Sequence, residues 1–148
     1  MFEPGIWGLM TEAEFLRDFE EKSLSPEEFN HRRHLWLGWL YIRDYNLGEA
    51  SVKLNRGIQV YAESLGADDK FHCTLTTTFA CAIKSRFKEN QSFDEFLNAN
   101  NDLENNPMAL IETHYSPEVL RSKDARKTLV APDREPFPRD YESQLVFS

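Results

Sequence analysis

The segment from Leu35 to Ile42, "LWLGWLYI", is apolar on nearly every side for about two helical turns, through Leu35, Trp36, Leu37, Trp39, Leu40, Tyr41 and Ile42. A helix apolar all round cannot lie on a surface and has to be enclosed by other elements. Read from Pro26 at its first helical position to about Tyr45, it is the expected central helix of the fold.

The elements around it also read as helices, because their starts are punctuated. Thr11 with Glu14, Ser25 with Glu28 and Ser92 with Glu95 have the capping-box spacing, in which a hydroxyl and a carboxylate satisfy the open N–H groups of a first turn. The first helix, about Thr11 to Lys22, sets Phe15, Leu16 and Phe19 against a charged face. A third, about Glu49 to Leu65, stops at Gly66. A fourth, about Lys70 to Lys88, repeats Phe71, Leu75, Phe79, Ile83 and Phe87 at helical spacing; its threonine-rich start also admits a strand, and length decides for helix. A fifth runs from about Phe93 to Asn101, a short piece covers Met108 to Thr113, and Ser116 and Ser122 read as caps of two further turns.

The reading is therefore all-α: a single-domain bundle of about five main helices with its core over 11–130. An extended proline-rich tail over 131–148 is expected to lie across the surface. A chain of 148 residues can bury a core without disulfides or metal. Its 25 acidic and 17 basic residues, net charge −8, argue against nucleic acid and anionic membranes as partners. No segment has the length of a membrane span, and "MFEPGIWGLM" lacks the basic and apolar regions of a secretory leader. Cys73 and Cys81, eight residues apart on one helix, stand roughly 12 Å apart and cannot bridge. The expectation is a soluble, cytoplasmic protein.

The chemistry-bearing residues concentrate in the histidines, of which there are four. His31 and His34 are one turn apart on one helix face, and Gly38 leaves space beside them. If helices two, three and four run up, down and up, the N-terminal turns of helices two and four share one end, and His72 joins the pair. Helix N-termini disfavour imidazolium and offer N–H groups to an anionic ligand. Neutral His31, His34 and His72 with an open fourth position would suit zinc or another divalent metal with a bound water. The competing reading makes them core histidines bonded to backbone or carboxylates.

Glu27, Glu28 and Asp69 are possible added carboxylates. Glu-x-x-His and Asp-x-x-His superficially suggest a dinuclear centre, yet Glu28 and Asp69 also fit helix caps, the plainer role. Cys73 adjoins His72 but points about 100° away on a helix, which favours a structural thiol over a nucleophile. Thr76, one turn beyond His72, either lines the pocket or bonds to the preceding turn. Tyr115 is a candidate pocket residue. It and His114 either close over the site or, as the preferred reading of His114, His114 lies on the surface. Trp36, Trp39, Tyr41 and Tyr45 read as core.

The three stretches "FNHRRHLWLGWLYI", "KFHCTLTTTFACAI" and "HYSPEVLRSKDARKTLVAPDREPFP" resemble, in that order, the motifs of an uncharacterised group of small bacterial proteins. The resemblance spans Phe29 to Pro138 and implies no established reaction. It marks His31, His34, His72, Thr74, Thr76, Tyr115 and Ser116; Phe71 stands where that group usually has Tyr, and Cys73 where it often has Glu. Two functions follow as expectations. One is a small helical enzyme acting on a small polar molecule through the three histidines, as metal ligands or as an acid/base cluster. The other is a non-catalytic module that binds a small ligand or joins an assembly, its histidines structural.

Overall fold

A computed structural model describes residues 10–146. Most of the stretch read for a leader, residues 1–9, and the last two residues of the expected tail lie outside that range. The described residues form nine α-helices and no strand: α1 (Glu12–Glu20), α2 (His31–Asp44), α3 (Leu47–Ser64), α4 (Cys73–Arg86), α5 (Phe93–Ala99), α6 (Asp102–Asn105), α7 (Pro107–His114), α8 (Pro117–Leu120) and α9 (Lys123–Lys127). The threonine-rich stretch is helical. None of these helices is long and apolar enough to cross a membrane.

Helices α2, α3 and α4 pack against one another, α1 lies on α3, and α9 and α7 lie on α4. The all-round apolarity of α2 is thereby used: Leu35, Leu37, Trp39, Leu40, Tyr41 and Ile42 are buried, with Leu37 and Leu40 fully enclosed. Gly38 lets α4 come close, since a Cβ there would stand 3.0 Å from the Cδ1 of Ile83. Gly66 ends the turn after α3 with φ at +68°, a conformation in which glycine has no steric cost.

Two helix starts differ from the sequence reading. Residues 26–29 form a separate turn, in which the N–H groups of Glu28 and Phe29 both donate to the Ser25 carbonyl. The Ser25 hydroxyl donates to the Glu28 carboxylate at 3.0 Å, so this pair closes a local turn rather than capping α2. The cap belongs to Asn30, whose Oδ1 accepts the Arg33 N–H at 3.0 Å. Phe29 is drawn into the core against Phe19 and Tyr61, and that anchorage competes with a helix running straight through from Pro26. At α4 the cap is His72 itself, and Asp69 belongs to a preceding 3-10 turn, Asp68–Lys70.

The C-terminal segment also departs from a surface-lying tail. Phe137 and Tyr141 are buried, Tyr141 in a second 3-10 turn, Tyr141–Gln144. Arg134 and Glu135 donate their backbone N–H groups to the carbonyls of His114 and Thr113, acceptors that the end of α7 leaves open.

Candidate functional site

A cavity of about 300 Å³ opens between the N-terminal half of α2, α3 and the start of α4. His31, His34, His72, Thr76 and Gly38 all border it, so the N-terminal turns of α2 and α4 meet at one place. Its apolar surface comes from Leu35, Leu54, Ile58, Leu75, Phe79 and Ile83. Lys70, the last residue of the 3-10 turn, and Phe71, which follows it, complete the wall.

The three imidazoles differ in what they have left to offer. His72 is buried and fully committed: Nδ1 accepts the Leu75 N–H at 3.2 Å, and Nε2 stands 2.7 Å from the Leu120 carbonyl, which requires Nε2 to carry the proton. Burial, then the charge of nearby Arg126, pushes its pKa below the ordinary value. His34 is half-buried and stacked on Phe29 with ring centroids 3.8 Å apart. Its Nδ1–H donates to the Asn30 carbonyl at 2.9 Å, leaving Nε2 as an acceptor. Burial, and then repulsion from His31, lowers its pKa as well, so it is neutral near pH 7. His31 is exposed at the rim, with Nε2–H held by the Leu103 carbonyl at 2.8 Å and Nδ1 as its remaining acceptor. Its ring meets Phe79 edge-on.

This pattern does not support the expected metal centre at His31, His34 and His72. The only lone pair of neutral His72 is occupied by its own helix cap, and releasing it would uncap α4. Among the described residues no group of three or more His, Cys, Asp or Glu side chains is placed to hold a metal ion. The dinuclear variant with Glu27, Glu28 and Asp69 likewise finds no support among the described residues.

Tyr115 lies elsewhere. It is fully enclosed, and its hydroxyl donates to the Val130 carbonyl at 2.7 Å. Thr74 is equally enclosed, donating to the Thr128 carbonyl and accepting the Val130 N–H. The Ser116 hydroxyl caps α8, and its N–H donates to Asp133. These three tie the C-terminal segment to α4 and α7. His114, preferred above as a surface residue, is buried with Nδ1 held 2.7 Å from the Glu135 carbonyl and its ring against Phe137. Thr76 borders the cavity and also donates to the His72 carbonyl, so both of its readings describe it. Burial raises the Cys73 thiol pKa and pushes that of Cys81 up to about 12, the behaviour of structural thiols; neither is bridged.

The contributions missed by the sequence reading come from α3 and from Lys70. Ile58 reads in the sequence only as a core position and Leu54 is not singled out by it, while the signal for Lys70 is its place two residues before His72. A second cavity, of about 400 Å³, lies alongside, lined by Pro26, Phe29, Tyr61, Ala62, Leu65 and Ala67. His34, Ile58, Lys70 and Phe71 border both cavities. Comparison of the chain with protein-family models, with curated proteins and with solved structures returned no match.

Proposed function

We propose that this protein binds a small molecule between α2, α3 and α4, with the apolar wall taking its hydrocarbon part and His31 and His34 receiving hydrogen bonds from its polar end. The observation that carries this reading is the pairing of an apolar cavity with two imidazoles, each anchored through one nitrogen to a backbone carbonyl and retaining an acceptor on the other. His72 supports the site as the cap that holds the start of α4. The resemblance to the group of small bacterial proteins belongs to the same proposal, as does a cytoplasmic setting without nucleic acid or membrane partners.

A second reading, acid/base catalysis, rests on His34. Its fixed tautomer and lowered pKa suit a proton acceptor, with His31 and Lys70 as the other titratable groups that border the cavity and are not taken up as helix caps.

A fragment screen by thermal shift, mapped by NMR, tests the binding reading. Ligands are expected to perturb His31, His34, Leu75 and Thr76, and Thr76→Phe is expected to abolish binding while the fold is retained. Fragments that bind only elsewhere, or keep full affinity for the Thr76→Phe protein, would sink the proposal. Turnover of a ligand that is lost in His34→Gln with binding retained would favour the catalytic reading.

A further inference from the structure

The two adjoining cavities carry a charge pattern that the chain as a whole does not. The protein has 25 acidic residues and a net charge of −8, yet among the described residues no Asp or Glu lines either cavity. Lys70 borders both, and its side chain forms no ion pair with any described carboxylate. Lys70 is exposed at the cavity mouths, so an anion placed there meets a lysine without an ion pair, with Asp68 and Asp69 beside it on the turn and Glu27 and Glu28 acting on Tyr61 of the second wall.

His34 borders both cavities as well, and its Nε2 is an acceptor with no hydrogen bond from the described residues. Apolar walls extend to both sides: Leu54, Leu75 and Ile83 on one, Phe29, Ala62 and Leu65 on the other. A simple fatty acid would fill one side and leave the other cavity and the acceptor unused. Resting on the binding reading above, we infer that the ligand is a carboxylate flanked by two apolar groups and an N–H donor, the chemistry of an N-acylated apolar amino acid. Its carboxylate pairs with Lys70, its amide N–H donates to His34, and its acyl chain and side chain occupy the two cavities.

The test uses the full chain with N-octanoyl-phenylalanine, its methyl ester and octanoate as probes in calorimetric titrations. The acid is expected to bind about three- to fivefold more tightly than the ester, the upper end of what one exposed ion pair contributes. Lys70→Met is expected to erase that preference and leave the ester unchanged within about twofold, as expected for removal of a charge the ester does not use. Leu65→Ser, which trims the second cavity at an exposed position, is expected to weaken acid and ester alike by about threefold and leave octanoate unaffected. Equal affinity for acid and ester in the unaltered protein, or a Lys70→Met protein that keeps the preference, overturns the inference. If neutral probes still bind in the first cavity, the failure is confined to the ligand class; if no probe, charged or neutral, perturbs the cavity residues, the binding reading fails with it.

Discussion

His34 and His72 are both held below the ordinary histidine pKa of 6.5, in each case chiefly by burial. The sign of the consequence follows from which state takes up a proton first. As pH falls through about 6.5 the unfolded chain protonates both rings while the folded chain does not, so unfolding becomes easier. The stabilisation is complete above that pH, and its loss ends once the folded rings protonate too. Each tenfold reduction in proton affinity is worth about 1.4 kcal/mol in this balance. Urea unfolding is expected to show stability falling from pH 7 toward pH 5, and a His34→Gln, His72→Gln double variant is expected to flatten that slope. An unaltered protein with constant stability across the interval would contradict the assignment. Carboxylates respond in a lower window. Glu14 is held below the usual range by Thr11, Asp102 by Arg86 and Asp133 by Ser116, and their contributions are lost as these groups protonate near and below pH 4.

Element boundaries were legible where the signal is local. Thr11 with Glu14 and Ser92 with Glu95 form both reciprocal bonds of the capping box, and α1 and α5 begin where the spacing predicts. Ser25 with Glu28 has the same spacing and forms only a turn, because Phe29 is claimed by the aromatic cluster and Asn30 supplies a competing cap. Asn30→Ala is therefore expected to destabilise the protein by about 1 kcal/mol, whereas Ser25→Ala is expected to cost only a few tenths, both read by chemical unfolding. Comparable losses at the two positions would return the start of α2 to Pro26. The α4 start was out of reach for a different reason. An imidazole makes an N-cap here because its other nitrogen is bound to the Leu120 carbonyl, from a segment distant in sequence.

For the whole molecule, the C-terminal segment acts as a clasp. Thr74 on α4 bonds to the backbone of Thr128 and Val130, Tyr115 bonds to Val130, and Phe137 packs on both His114 and Tyr115. Tyr115→Phe keeps the buried ring and removes a bond to a carbonyl, and is expected to cost about 1–2 kcal/mol in thermal or urea unfolding without altering ligand affinity in the α2–α4 cavity. A Tyr115→Phe protein of full stability but weakened ligand binding would place Tyr115 in the site after all. The seven residues singled out in the sequence divide by position: His31, His34, His72 and Thr76 border the cavity, while Thr74, Tyr115 and Ser116 hold the clasp.

The sequence by itself determined the helical class, the central place of α2 and most helix starts, since periodicity and capping are written within a few neighbouring residues. It also placed His31 and His34 on one face, a consequence of helix pitch alone. Only the tertiary structure decided which lone pairs remain. The carbonyls of Leu103 and Leu120 that hold His31 and His72 lie 72 and 48 residues away, and such distant partners leave no local trace in the chain. The sharing of Lys70 by two cavities was decided in the same way, by how α2, α3 and the start of α4 come together.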